Sequence, residues 1–417
     1  MALKNNRQKY LAELIKNSYQ PVNSISGKVK KKGFGKGDPA IHRVITPWGA
    51  NAGLDLSNLP NDIDVIVGDD SVAAIQTAIF GNKTILVSSD PSSQQLKNII
   101  PSIVNMDDEY DSKTIKETIK MAKDFVYVGN NAFSITNEVL KELISKKPKM
   151  IRLVTEAWPF LGMPNSTSST HTNGRKILDG LKELGLRKVF FLQNMSFVQY
   201  SHDGSTKDTA QVSTVVFHTE LGYEGDIEIY DSGDNLVYTA NRKNSIFLPR
   251  TKLSYEASLI DATTKEWLGY ESWSHALGQK GYNKKDITPA LIASKEVQDL
   301  IMADQYRIEV KHMNNGTPGN GSFWKEYKVG YQLSSATALD PNTDPTVGTI
   351  LIGYGQDKDA RDSHLSLMAT KAFQEIYQAA SAAKTMSKPV AEYFLLRFPA
   401  DRVWTDQELK DYVANNI

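Results

Sequence analysis

The chain has 417 residues, 40% of them hydrophobic and 23% charged, with 48 Lys and Arg against 48 Asp and Glu. That length predicts two or three domains with real cores, and a formal charge of zero gives no global pull toward nucleic acid, so such binding would need locally segregated charge. The absence of cysteine excludes disulfides, thiolate zinc sites and every cysteine nucleophile, including the one that would attack cytosine to methylate its carbon 5.

Seven histidines are scattered without ligand spacing, no apolar run approaches 18 residues, and no signal peptide is evident. The expectation is a soluble, cytoplasmic protein with no membrane association and no metal site. Residues 1–20 can form a basic amphipathic helix. The stretch SGKVKKKGFGKGDP then mixes glycines with five lysines, which suits either a solvated flexible linker or an arm that touches phosphates. From Ile63 the pattern changes. IDVIVGDDS reads as a strand leaving on a glycine and two acids, and SVAAIQTAIFG as a helix closed by Gly81. KTILVSSD is a second strand, KTIKETIKMAK a helix, DFVYVGNNAF a third strand, ITNEVLKELISKK a helix and MIRLVTEAWPF a fourth strand. STSSTHTNGRK, around His171 and Arg175, reads as a polar loop, and GRKILDGLKELG with KVFFLQN supplies a further helix and strand. Strands separated by helices of this length require parallel crossovers, so residues 40–200 read as a doubly wound α/β domain.

VSTVVFHTE and GDIEIYDSGDNLVYT read as an antiparallel pair, with DSGDN supplying turn residues. Beyond residue 250 two irregular segments gather rings and lysines. One holds Trp267, Tyr270, Trp273, Tyr282, Lys284 and Lys285, the other Phe323, Trp324, Lys325, Tyr327 and Lys328. Such loops suit base stacking and phosphate contact, or the rings anchor long loops to a core. SHLSLMATKAFQEIYQAASAAKT reads as one helix. In WTDQELKDYV, Thr405 and Glu408 have the spacing of a capping box, with Leu409 and Tyr412 facing inward.

The strand DFVYVGNNAF empties into two amides and a ring. That is either an Asn-rich turn or a polar loop at the carboxyl end of a parallel strand, where open α/β sheets place their chemistry. The order of elements resembles the adenine-specific DNA methyltransferases of restriction-modification systems, which join an S-adenosylmethionine fold to a C-terminal target-recognition region. RVITPWGA holds Thr46 and Pro47, similar to the Thr-Pro element before the family's cofactor-binding strand. VIVGDDS, with Gly68 and Asp69, sits where the family has its Asp-x-x-x-Gly-x-Gly loop. Asp90 ends the next strand, where an acid would bind the cofactor ribose. GNNAF stands at the family's Asn-Pro-Pro-Tyr or Asn-Pro-Pro-Phe tetrapeptide. MIRLVTEAWPFLGM, VSTVVFHTELGYEGDIEIYD, HLSLMATKAFQEIYQAA and YFLLRFPADRVWTDQELKDYV resemble later elements of the same group, so the resemblance spans residues 40–417.

The resemblance implies a Rossmann-like S-adenosylmethionine methyltransferase fold with a mixed sheet, followed by an α+β target-recognition domain. Its implied layout is a basic segment over 1–39, a methyltransferase-like domain over 40–250 and a recognition domain over 251–417. It implies that Asn130, Asn131 and Phe133 are catalytic, that Thr46, Pro47, Gly68, Asp69 and Asp90 hold S-adenosylmethionine, and that Trp273, Tyr282, Lys284, Lys285, Trp324 and Lys325 meet double-stranded DNA. In this group the target adenine swings out of the duplex, an amide oxygen and a backbone carbonyl accept its amino hydrogens, and a ring stacks on the base. Here Asn131 and Ala132 replace the prolines whose fixed φ would aim that carbonyl, and VIVGDDS keeps only Gly68 of the cofactor glycines. The reading is therefore a DNA-binding protein of adenine methyltransferase architecture with catalysis impaired or lost. Its alternatives are a divergent working enzyme and a scaffold that binds a protein partner.

Overall fold

The structure is a computed structural model that describes residues 41–45, 56–60, 62–68, 70–88, 91–106, 112–130, 133–157, 160, 169–192, 196–200, 206–211, 214–231, 234–263, 270–271, 288–311, 336–345, 349–380 and 388–417. The chain divides into two compact units, Met1–Ala157 with Asp179–Asn235, and Trp158–Leu178 with Leu236–Ile417.

In the first unit, β1 (Ile41–Ile45) is followed by β2 (Asp64–Gly68), α1 (Ser71–Ile79), β3 (Lys83–Ser88) and β4 (Ser102–Asn105). Then come α2 (Ser112–Met121), β5 (Phe125–Asn130), α3 (Phe133–Lys146), β6 (Met150–Glu156), the part from Asp179 on of α4 (Ser169–Glu183), and β7 (Leu186–Leu192). The remaining strands are β8 (Ser196–Tyr200), β9 (Thr206–Gln211), β10 (Thr214–Glu220) and β11 (Ile227–Tyr230). The main sheet runs β11-β7-β10-β6-β5-β2-β3-β4, parallel except for β10, which lies antiparallel between β6 and β7. A smaller antiparallel sheet has the order β1-β8-β9. This is the expected class, a Rossmann-like, doubly wound α/β fold with a mixed sheet.

The central strands form because they are apolar on both faces, as a doubly covered parallel sheet requires. Val65, Ile66, Val67, Phe125, Val126, Tyr127 and Val128 are all fully buried. Each such side chain contributes about 1.5–3 kcal/mol by leaving water. α1 packs Ala73, Ala74 and Ile75 into the same core, and the chain leaves it through Gly81 at φ +96°, as the closing glycine predicts.

Three expectations are corrected here. VSTVVFHTE does not pair with the strand that follows it: β10 inserts between β6 and β7, and β11 instead pairs parallel to β7, with Ile229 opposite Val189. The DSGDN turn itself holds, since Asp231 accepts from the Asn235 backbone N–H at 3.0 Å and Asp234 has φ +59°. STSSTHTNGRK is helical and not a loop from Ser169 on, where α4 begins and takes in His171 and Arg175; Ser166, Thr167 and Ser168 lie outside the described residues. β4, β8 and β9 are short or polar strands that alternation does not flag.

In the second unit, β12 (Leu236–Ala240) and α5 (Lys252–Leu259) precede β13 (Tyr270–Glu271), α6 (Pro289–Ile292) and α7 (Lys295–Leu300). β14 (Arg307–Lys311), β15 (Ala336–Leu339) and β16 (Thr349–Gly353) complete an antiparallel sheet of order β13-β16-β14-β15. The chain ends with α8 (Lys358–Ala369), α9 (Lys371–Ala380), α10 (Lys388–Leu395) and α11 (Asp406–Asn415), which pack Leu367, Phe373, Phe394, Trp404 and Leu409 into one core. SHLSLMATKAFQEIYQAA is two helices and not one. Thr370 is extended at φ −69°, ψ 145°, its hydroxyl accepts from the Phe373 N–H at 3.1 Å, and Asp406 accepts from the Ala372 N–H at 2.7 Å. Those bonds satisfy the first donors of α9 and make the break stable. The capping box at α11 is formed as its spacing predicts, with Leu409 buried.

Candidate functional site

Strand register fixes the candidate site. Gly68 ends β2 and pairs with Gly129 of β5, and Asn130, the next residue, ends β5. On the other side Gly68 pairs with Val87, one residue before the end of β3 at Ser88. Asn130 pairs with Val154 of β6, which ends at Glu156. Four adjacent parallel strands thus finish along one edge at Ser88, Gly68, Asn130 and Glu156. The strand order reverses between β2 and β5, so Gly68 and Asn130 stand at the switch point, where doubly wound sheets open a crevice beyond their carboxyl ends.

The backbone on either side is tightly set. Asp70 is the N-cap of α1, and its Oδ1 accepts from the Ala73 N–H at 2.8 Å. Only residues 131 and 132 separate β5 from α3, so Phe133 opens a helix instead of closing a strand or hanging in a long loop. α3 is held close beneath that edge. The Thr136 hydroxyl donates to the Thr155 hydroxyl on β6 at 3.3 Å, and Val139, Leu140 and Leu143 are buried. Its outer side is tied to α2, where Glu138 accepts from Ser112 and pairs with Lys116 at 3.1 Å. Hydrogen bonding from Ser112, then from Lys116, lowers the Glu138 pKa.

A second polar feature crosses the sheet away from this edge. Arg152 on β6 pairs with His218 on β10, His218 with Lys188 on β7, and Lys188 with Glu228 on β11. Arg152 and His218 are buried; Arg152 donates to the carbonyls of Ile151 and Thr219 at 3.1 and 3.2 Å, and Lys188 lies 3.8 Å from Glu228. Burial lowers the His218 pKa well below the ordinary range, and Arg152 and Lys188 lower it further.

Of the residues singled out in the sequence, Gly68 and Asn130 come together on the edge, and the backbone of Phe133 lies three residues beyond Asn130. Thr46, Pro47, Asp69, Asp90, Asn131, Trp273, Tyr282, Lys284, Lys285, Trp324 and Lys325 lie outside the described residues. Ser88 and Glu156 were not singled out. Both are simply the last residues of apolar runs, a signal no stronger than that of any strand end. Asp70 as a cap was legible, because an Asp directly before a helical apolar pattern is an N-terminus signature. Among the described residues no group of three or more His, Asp or Glu side chains gathers to hold a metal, and no helix is long and apolar enough to cross a membrane.

No protein family and no curated protein matches the sequence. Solved structures resemble it loosely. Several are methyltransferases. The ribosomal protein L11 methylase of Lactobacillus delbrueckii subsp. bulgaricus aligns with 40% of this chain and 75% of its own, at 10% identity and a TM-score of 0.24. A SAM-dependent methyltransferase of Agrobacterium tumefaciens covers 40% of this chain and 58% of its own, at 12% identity and a TM-score of 0.24. The type IIL restriction-modification enzyme MmeI, solved with DNA, covers 82% of this chain but 61% of its own, under two thirds of its length, at 8% identity and a TM-score of 0.38. Scores this low leave the fold assignment to rest on the strand order of the chain itself.

Proposed function

We propose that the chain is a DNA-binding protein of adenine DNA methyltransferase architecture whose catalysis is impaired or lost. One observation carries the reading: Gly68 and Asn130 finish neighbouring parallel strands at the switch point, one step apart in register. That is the backbone placement needed to set a nucleoside cofactor and an extruded base side by side. Gly68 lets the backbone approach the cofactor closely, with Thr46, Pro47, Asp69 and Asp90 as the remaining S-adenosylmethionine contacts. Asn130 supplies an amide oxygen for the adenine amino group, Asn131 a carbonyl, and Phe133 a stacking face.

Two features favour lost or slowed chemistry. Asn131 and Ala132 leave that carbonyl without the proline constraint that would aim it, and misplacement by about 1 Å can cost on the order of a hundredfold in rate. One glycine stands where the cofactor loop would need several. DNA contact has no such requirement, and Trp273, Tyr282, Trp324, Lys284, Lys285 and Lys325 combine stacking faces with phosphate-binding charge.

A divergent working methyltransferase is the second reading, favoured by the retained place of Asn130 at the strand end. Transfer of labelled methyl from S-adenosylmethionine to mixed-sequence duplex separates the two. The expected result is little or no transfer together with salt-sensitive duplex binding that weakens when Lys284 and Lys285 are changed to alanine. Transfer abolished by Asn130→Ala would instead establish the enzyme. Absence of duplex affinity at low salt would remove the DNA-binding reading and leave a scaffold for a protein partner.

A further inference from the structure

We propose that the amino edge of the main sheet, opposite the candidate site, is a face on which a second copy of this chain docks by two-fold symmetry. Two patches of opposite charge adjoin there. The basic one lies where α2 and α3 end, at Lys120, Lys123, Lys146, Lys147 and Lys149. Lys146 Nζ donates to the Lys120 carbonyl at 2.6 Å, and the Lys149 N–H to the Phe125 carbonyl at 3.0 Å, so the five lysines gather around the start of β5. Their acidic neighbours are Asp124 and Glu142, the latter 3.9 Å from Lys120.

The acidic patch begins at the next strand. The Leu221 N–H donates to the Lys149 carbonyl at 2.9 Å, and the Glu220 N–H to the Gly185 carbonyl at 3.0 Å, which joins the turn after β10 to the end of α4. There Asp179, Glu183, Glu220, Glu224 and Asp226 outnumber Lys182 and Arg187, which pair with Asp179 at 3.4 Å and with Glu220 at 2.8 Å. Lys123, Lys147 and Lys149 are exposed on one side of the seam, and Glu183, Glu224 and Asp226 on the other.

Two further observations separate this face from an ordinary solvated surface. Lys147 has φ +52°, a conformation that glycine takes freely and lysine only at a cost, so a charge is kept where the backbone favours its loss. Met121 and Leu221 are 78% and 44% exposed, apolar side chains set among the charges. A face whose halves carry opposite sign is self-complementary: a two-fold axis at the seam sets each lysine half against the acidic half of the other copy. A partner of single sign, such as a nucleic-acid backbone or an acidic peptide, matches one half and is repelled by the other. Asn130 ends β5 at its far end, so docking here leaves the candidate site open in both copies.

Sedimentation velocity of the full chain tests this. One variant combines Lys123→Glu, Lys147→Glu and Lys149→Glu, and the other Glu183→Lys, Glu224→Lys and Asp226→Lys; all these positions are exposed, and thermal melting checks that both variants fold. The unaltered chain is expected to dimerise at micromolar concentration in about 0.05 M salt and to dissociate in about 1 M salt, where the screening length falls to about 3 Å. Each variant alone sets like charges against each other and is expected to self-associate at least about tenfold more weakly. Mixed in equal amounts, the two variants are expected to recover the dimer, because one now carries two acidic halves and the other two basic ones. An unaltered chain that stays monomeric, a dimer that neither variant weakens, assembly that grows past the dimer, or a mixture that stays monomeric would each overturn the proposal.

Discussion

Along β2 and β5, Val65, Ile66, Val67, Val126, Tyr127 and Val128 are wholly buried, and the next polar residues in the sequence are Asp69 and Asn130. The core of the second unit is built differently. Arg307, Arg361 and His364 lie inside it, at 0%, 3% and 2% exposure, and each is bound to main-chain carbonyls. In the first region the buried stretches of these two strands hold no charged side chain. In the second, Arg307, Arg361 and His364 are spent on holding loops, so such side chains are structural there. Burial combined with bonding to the chain's own backbone distinguishes the two, and each prediction below tests that distinction.

The largest effect is expected at Arg307. Its guanidinium donates to the carbonyls of Gln305, Ile301, Asp340 and Thr343 at 3.1, 3.0, 3.0 and 2.7 Å, joining the residue after α7 to the loop that follows β15. Burial lowers its pKa, an effect opposed by nearby Asp344, Asp304 and Glu309. Arg307→Met would fill similar space and strand several buried acceptors, with an expected loss of about 3–5 kcal/mol in urea denaturation. A loss below about 1 kcal/mol would break the contrast, since a buried arginine would then be no more structural than a surface one.

His364 extends the same test to pH. Its Nδ1 meets the Tyr354 hydroxyl at 3.1 Å and its Nε2 the Phe398 carbonyl at 3.0 Å, the pattern of a neutral ring that accepts at one nitrogen and donates at the other. Burial brings its pKa from 6.5 down to about 4, against a smaller upward pull from the bond to Phe398. As pH falls below 6.5 the unfolded chain takes up this proton before the folded one does, so stability falls with pH until the folded ring titrates near 4. The loss over that window is about 3 kcal/mol. His218 acts in the same direction in the first unit, so the slope is shared. His364→Gln, which keeps an acceptor and a donor, should flatten the His364 share of the stability profile between pH 6.5 and 4. An unchanged profile would show that this ring is not buried as described.

The sequence made the parallel sheet legible because its strands are long apolar runs separated by helical ones, a pattern set by local chemistry. It also placed Gly68 and Asn130, since both are where such runs stop. The insertion of β10 between β6 and β7 was not legible, because alternation marks a strand without naming its neighbours. Nor was the break at Thr370. A threonine inside an apolar helical pattern signals nothing until Asp406, 36 residues later, supplies the second cap. Arg307 and His364 read as ordinary surface types, and only the carbonyls folded around them make them core residues.

Gly185 asks whether the first unit has close backbone constraints of its own. It stands at φ +79°, and a Cβ built there would lie 2.0 Å from the Glu220 carbonyl oxygen, a backbone atom that cannot step aside. Gly222 has a similar φ of +86° with open space around it. Gly185→Ala should therefore cost about 2–3 kcal/mol and Gly222→Ala only about 1 kcal/mol, read by thermal melting. Equal costs would mean that conformation alone decides, and that the approach of β10 to the turn after α4 can relax.

The smallest effect separates burial from hydrogen bonding within the second unit. At the start of α11 the Thr405 N–H and hydroxyl both donate to Glu408, at 2.8 and 2.6 Å, and the Thr405 hydroxyl accepts from the Glu408 N–H at 3.3 Å. These bonds are as numerous as those of many buried groups, but water can replace each of them. Thr405→Ala should cost about 1 kcal/mol in the same urea denaturation. A cost approaching that of Arg307→Met would mean that bond count and not burial sets the price of a polar group here. The contrast between the sheet edge and the second core would then lose its physical basis.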